Sequence, residues 1–292
     1  MDKFIGTGVA IVTPFRPDSS IDFKSLEKIV EHLLNNKVNY LVVLGTTGES
    51  VTLNKEEKRA IVDFIIEINQ NRVPVVVGIG GNNTHEVINQ LRSNSFDGID
   101  AILSVAPYYN KPNQKGLFQH YRTIAAASPV PVILYNVPGR TSVNISADTT
   151  LELAHKSNNI IAIKEASGNL DQIIKIVRNK PEGFKVISGD DVLTLPIIAV
   201  GGAGVISVLG NAFPAEVSKM VSLSLNGKFE DARKIHFQFT ELIDLLFTDG
   251  NPAGIKAVLN VMDLTSNALR LPLTPVQTAT YNKISRLVSE RI

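Results

Sequence analysis

The chain has 292 residues, 44% hydrophobic and 20% charged, a balance that supports a large folded core and excludes a disordered or fibrous protein. Its formal net charge of +1 gives no electrostatic case for nucleic acid or an anionic membrane as a partner. With no cysteine there is no disulfide, thiol nucleophile or thiolate metal site, which fits a reducing, cytoplasmic setting.

The first apolar run, Gly8 to Val12, is short and soon meets Pro14, so it reads as a strand rather than the core of a signal peptide. Further strands are predicted at Tyr40 to Leu44, Val73 to Ile79, Ala101 to Val105, Val132 to Tyr135, Ile160 to Ile163, Lys185 to Ile187 and Gly204 to Ser207. Each leads into a helical pattern. Asp22 stands before Leu26, Ile29, Val30 and Leu33; Asn54 and Glu57 form a capping-box pair; Asn83 precedes His85 and Glu86; Ser146 or Asp148 precedes Leu151 and Leu153. The strands are nearly continuous apolar runs, as expected of a parallel sheet covered by helices. Eight βα units over residues 1–226 predict an α/β fold, a (β/α)8 TIM barrel. From Phe213 no strand-like run remains. Residues 227–292 predict a three-helix extension at about Phe229 to Leu246, Pro252 to Met262 and Pro275 to Val288, with Pro272 and Pro275 marking the hinge before the last.

The longest apolar runs, such as Leu195 to Val200, fall far short of a membrane span. The five histidines are scattered without an HxxxH-type pair, so packing or surface roles are favoured over a metal site.

In a barrel of this kind chemistry sits where the strands end. Lys164 follows Ile160-Ile161-Ala162-Ile163, and an amine held beside apolar side chains is favoured in its neutral, nucleophilic form. A solvent-facing lysine, or one paired with Glu165, is the plainer alternative. Tyr135 ends the adjacent strand and can move protons near the amine. A free phenol titrates near about pH 10, so such a role needs a relay, and Thr47 and Tyr109 offer hydroxyls at strand ends. Gly45-Thr46-Thr47-Gly48-Glu49-Ser50 is a candidate carboxylate nest or simply a tight turn. It lacks the P-loop lysine. Gly78-Ile79-Gly80-Gly81-Asn82 lacks the full dinucleotide pattern. Arg140, just after Gly139, can pair with a second carboxylate or simply face solvent, while Asp190-Asp191 stays ambiguous.

These segments, together with Tyr108-Tyr109-Asn110-Lys111-Pro112, Tyr135-Asn136-Val137-Pro138-Gly139-Arg140-Thr141 and Ile163-Lys164-Glu165-Ala166, resemble the motifs of the dihydrodipicolinate synthase / N-acetylneuraminate lyase family, in order and across essentially the whole chain. The resemblance implies a Schiff-base aldolase that needs neither metal nor organic cofactor. It makes Lys164 the amine that captures pyruvate, Tyr135 the proton-transfer residue and Thr47 its link to Tyr109 of a neighbouring subunit in a homotetramer. Thr46 and Thr47 would hold the pyruvate carboxylate, Gly189 and Ile206 would line the lysine's pocket, and Arg140 would bind the carboxylate of L-aspartate 4-semialdehyde. Arg140 favours the synthases over the lyases, since a short second substrate ending in a carboxylate calls for a cation there.

The resemblance also implies an effector site at Ser50, Val51, Lys55, Lys58, Asn82, Glu86 and Tyr108. Lys55 and Lys58 stand where lysine-sensitive members often have histidine, and two added ammonium groups repel a cationic effector, so weak or absent lysine inhibition is expected. Two other functions stay open: a different pyruvate-dependent aldolase or lyase acting on a neuraminate, keto-deoxy sugar acid or aromatic adduct, and a barrel kept for binding alone. A nucleophile and a proton relay together argue against the last.

Overall fold

The computed structural model describes residues 3–291. Eight parallel strands close into a barrel in chain order: β1 (Gly6–Ala10), β2 (Tyr40–Val43), β3 (Val75–Gly78), β4 (Ala101–Val105), β5 (Val132–Asn136), β6 (Ile160–Glu165), β7 (Lys185–Ser188) and β8 (Gly204–Ser207). The helices between and after them are α1 (Phe23–Asn35), α2 (Lys55–Asn69), α3 (Thr84–Ser93), α4 (Gln114–Ala127), the single turn α5 (Pro138–Thr141), α6 (Ala147–Lys156), α7 (Leu170–Asn179), α8 (Thr194–Ala199) and α9 (Pro214–Leu225). Three more follow, α10 (Phe229–Thr248), α11 (Ala253–Val261) and α12 (Thr278–Ser289). The fold is the expected (β/α)8 barrel with C-terminal helices. Among the described residues no helix is long and apolar enough to cross a membrane.

The strands alternate between two apolar clusters, because successive side chains point to opposite faces. Ala10, Val42, Val76, Leu103, Ile133 and Ala162 fill the barrel interior, while Val9, Leu41, Val43, Leu134 and Ile163 pack outward against the helices. Closure between β1 and β8 depends on glycine. Gly204 has φ +143°, and a Cβ there would lie 1.9 Å from the Gly6 carbonyl oxygen.

Helix starts follow their caps. Asp22 accepts from the Ser25 amide, Ser146 rather than Asp148 accepts from Thr149, and the Asn54–Glu57 box is complete in both directions. Most element ends fall within a residue or two of expectation, and at two of the displaced ones a distant side chain decides the boundary. β1 ends at Ala10 because the Val12 amide is taken by the Asn211 side chain at 3.1 Å. α12 starts at Thr278, not near Pro275, because the Gln277 amide bonds the Asp249 carboxylate at 3.0 Å and acts as the helix boundary.

Between α3 and α4, His120 is buried with Nδ1 2.8 Å from Thr84 Oγ1 and with Nε2 unpartnered. Burial lowers its pKa from 6.5 to about 4. The unfolded chain takes up that proton below about pH 6.5, whereas the folded one resists until about 4, so the contribution to stability falls with pH through that window. Its limiting slope is about 1.4 kcal/mol per pH unit. Buried Glu165 and Asp191, with raised pKa, act in the opposite sense, so the His120 part is read as a difference. His120→Gln, which keeps a partner for Thr84 without titrating, is expected to lose less stability between pH 7 and 4 than the wild type, as measured by thermal midpoints across that range.

Candidate active site

A cavity of about 450 Å³ opens at the C-terminal ends of the strands. Thr46, Thr47, Tyr135, Arg140, Lys164 and Gly189 all line it. Tyr135 and Lys164 are directly opposed on β5 and β6 and both face the interior, with Lys164 Nζ 4.3 Å from the Tyr135 ring centroid. This depends on a register shift. Val132 pairs with Ile160 but Ile133 pairs with Ala162, so Ile161 is an extra residue that brings lysine and tyrosine level. A one-residue slip would reverse which side chains face inward and turn Lys164 out toward the helices.

Glu165 is not the partner of Lys164. It points the other way, buried, and accepts from Asn136 Nδ2 at 2.5 Å, Ser167 Oγ at 2.5 Å and Gln172 Nε2 at 3.2 Å. Desolvation raises its pKa against the pull of those three donors. The Asn136–Glu165 bond lies one position beyond the Tyr135–Lys164 pair and fixes the same register from outside.

Gly189 touches the amine's stem. A Cβ built there lies 2.8 Å from Lys164 Cε and 2.9 Å from Ala166 Cβ. Gly189→Ala is therefore expected to push the lysine off its position and to lower kcat by about 10-fold or more, since small displacements at a reacting centre carry large rate penalties. Steady-state kinetics on a variant with an unchanged circular dichroism spectrum checks this. Ile206 lies deeper, buried in the interior cluster with Tyr135, and Val208 lines the cavity two residues on.

Thr46–Gly48 form one helical turn, closed by Gly48 N–H to Gly45 O at 3.1 Å and pinned by Thr13 Oγ1 donating to Gly48 O at 2.7 Å. The first amides of a helical turn have no acceptor within it, so the Thr46 and Thr47 N–H groups can bind a carboxylate. Arg140 sits on α5 at the mouth and donates from Nη2 to Asn251 O at 3.3 Å. Asp190 lines the cavity, whereas Asp191 is buried and accepts from Ser207 Oγ and the Val208 and Leu209 amides, a structural anchor whose pKa burial raises. Tyr109 is not in this cavity. It is 89% exposed, with left-handed backbone at φ +74°, and is held away from its own chain.

Of the candidate effector residues, Asn82 and Tyr108 are brought together by Asn82 Nδ2 donating to Tyr108 O at 3.1 Å. Ser50 and Val51 lie on the turn after Glu49, Lys55 and Lys58 on α2, and Glu86 on α3.

Sequence reasoning missed the contribution of the C-terminal helices. Ile243, Asp244 and Phe247 of α10 form part of the cavity wall, and Asn251 donates from Nδ2 to Thr47 Oγ1 at 3.0 Å. Glu49, two residues past Thr47, is fully buried against Lys256 of α11 at 2.5 Å. Lys256 also donates to Ala268 O at 2.9 Å and lies 4.3 Å from the centre of the Phe15 ring. Burial draws its ammonium down to about 8 against the opposing pull of Glu49. The only signal for Asn251 in the sequence is the polar break Asp249-Gly250-Asn251-Pro252 between two helices. Among the described residues no three His, Asp or Glu side chains converge in a way that could hold a metal ion.

Comparison with known proteins identifies the family. A family model described as the dihydrodipicolinate synthetase family matches residues 3–291. A 4-hydroxy-tetrahydrodipicolinate synthase from Parabacteroides distasonis is 53% identical, over 98% of this chain and 96% of its own. The solved dihydrodipicolinate synthase of Thermotoga maritima superposes with a TM-score of 0.96 at 39% identity, covering 99% of this chain and 98% of that one. The lysine-bound enzyme from Cyanidioschyzon merolae gives 0.94 at 37%, covering 98% and 97%. With a match across nearly every residue and a relative more than half identical, the chain belongs to the dihydrodipicolinate synthetase family.

Proposed function

We propose that this chain condenses pyruvate with L-aspartate 4-semialdehyde through an imine on Lys164, the reaction of a 4-hydroxy-tetrahydrodipicolinate synthase. The observation that carries it is the buried Lys164 amine beside Tyr135, at a cavity that also holds Thr46, Thr47 and Arg140. Lys164 Nζ attacks the ketone carbon of pyruvate, and loss of water leaves an imine. Its protonated form draws electrons from the adjacent methyl group, which gives up a proton to become an enamine. The enamine carbon attacks the aldehyde, whose oxygen takes a proton. The amino group of the second substrate then attacks the imine carbon, closes the ring and releases the Lys164 amine. Tyr135 handles the protons, Thr47 links it to Tyr109 of a second subunit, and Thr46 and Thr47 bind the pyruvate carboxylate. Arg140 receives the carboxylate of the semialdehyde. Gly189 and Ile206 shape the space around the lysine.

The exposure and left-handed backbone of Tyr109 support delivery to a neighbour, so a dimer is the smallest complete unit of a homotetramer. Residues 1–226 form the catalytic barrel in this account, and 227–292 an extension that completes its wall. Borohydride reduction with pyruvate, followed by peptide mapping, tests the chemistry: the adduct is expected on Lys164, and a label on another residue overturns it. Turnover of N-acetylneuraminate in preference to the semialdehyde would move the chain to the lyases.

An effector site for L-lysine at Ser50, Val51, Lys55, Lys58, Asn82, Glu86 and Tyr108 would be weak, because Lys55 and Lys58 add positive charge near a cationic ligand. Millimolar L-lysine is expected to leave most of the activity in a steady-state titration. Strong inhibition there would show that these ammonium groups lie clear of the effector.

A further inference from the structure

Asn251 reaches the cavity from outside the barrel, on the link between α10 and α11. It is 6% exposed. Its Nδ2 donates to Thr47 Oγ1 at 3.0 Å, its backbone carbonyl accepts from Arg140 Nη2 at 3.3 Å, and its Oδ1 is buried without a partner. A threonine hydroxyl has one hydrogen to give and two lone pairs to receive. With a donor seated on Oγ1, the hydroxyl hydrogen must point away from Asn251.

We infer that Asn251 is a positioning residue that sets the direction of proton transfer through Thr47: its carboxamide occupies one lone pair of Oγ1 and leaves the hydroxyl hydrogen to the cavity side, where Tyr135 lies. The inference rests on the role proposed above for Thr47. A second bond makes the placement rigid. Two residues beyond Thr47, Glu49 is tied to Lys256, five residues beyond Asn251, so the same two segments are fastened together twice. The helical extension therefore contributes more than a wall, since it brings in the donor that orders the relay.

General acid–base transfer is worth about 100- to 10,000-fold, and a hydroxyl released among its staggered rotamers loses part of that. Asn251→Ala is expected to lower kcat at saturating substrates by about 10-fold, with the KM for pyruvate within about 2-fold of wild type. Asn251→Asp is the sharper test. A carboxylate cannot donate, so it draws the Thr47 hydrogen to itself, and kcat near neutrality should fall by about 30-fold. Once the new carboxyl is protonated it can donate again. Relative to wild type at the same pH, kcat should then recover as the pH is lowered, while the Ala variant shows no such recovery. Arg140, Lys164, Asp190 and Asp244 also line the cavity, and repulsion between the new charge and substrate carboxylates would raise KM without limiting kcat at saturation.

The inference is overturned if the Asp variant keeps kcat within about 2-fold of wild type across the pH range, because the carboxamide then accepts from Thr47 rather than donating. It is equally overturned if both variants lose kcat alike with no recovery at low pH, which marks a purely structural side chain. Borohydride trapping on the wild-type protein separates the two levels. No adduct on Lys164 would sink the parent proposal, whereas normal labelling with unmoved Asn251 variants would sink this one alone.

Discussion

Lys164→Ala is expected to lower kcat for the condensation by about 10,000-fold or more and to abolish borohydride-dependent labelling by pyruvate. Among the described residues Lys164 supplies the only primary amine lining the cavity, so no neighbour can take over imine formation. Lys164→Arg should fare no better, because a guanidinium keeps the charge but is never free of its proton in a protein. Tyr135→Phe removes a proton carrier and leaves the nucleophile, so a smaller loss of about 100- to 1,000-fold is expected, with slow labelling still detectable. Steady-state rates and intact-mass spectra after reduction distinguish these cases. Retained labelling in Lys164→Ala would assign the imine to another residue. Loss of labelling in Tyr135→Phe with Lys164 present would mean that the phenol is needed for imine formation itself.

The residues of this pair were legible in the sequence, since each closes a β-rich run and such positions gather at one end of a barrel. Their alignment was not. It depends on Ile161 being surplus in the pairing of β5 with β6, and neither periodicity nor composition marks a bulge within an all-apolar run. Helix starts were readable where a local side chain makes the cap, as at Asp22 and Asn54. They were misread where the deciding partner is distant, as with Asp249 and the start of α12. The same division holds in the site. Thr47 and Arg140 lie in short motifs, but Asn251 meets Thr47 across 204 residues and Lys256 meets Glu49 across 207, and nothing local to either segment signals the contact.

Removing the buried cation exposes how much that last contact supports. Lys256→Met leaves the Glu49 carboxylate fully buried with only the Arg270 amide, at 3.1 Å, against its second oxygen. An uncompensated buried charge costs about 3–5 kcal/mol, and the thermal midpoint should fall by roughly 6–10 °C for a chain of this size. The damage should also reach the cavity. Glu49 adopts left-handed backbone at φ +51° and its N–H closes onto Thr46 O at 3.1 Å, so a displaced carboxylate loosens the turn carrying Thr46 and Thr47, and the KM for pyruvate should rise. Arg270 keeps the far side in place, through Glu57 at 2.8 and 2.5 Å and Thr52 O at 3.0 Å, which confines the disturbance to the Glu49 side of the network. Neutralising both partners is the informative control. A buried ion pair returns little net stability over uncharged groups of similar shape, so Glu49→Gln combined with Lys256→Met should melt above Lys256→Met alone. If the double variant melts no higher than the single one, the cost lies in lost packing around Phe15 and not in the stranded charge. If it regains stability but not the KM for pyruvate, the ion pair orders the threonine turn by direction as well as by holding it in place.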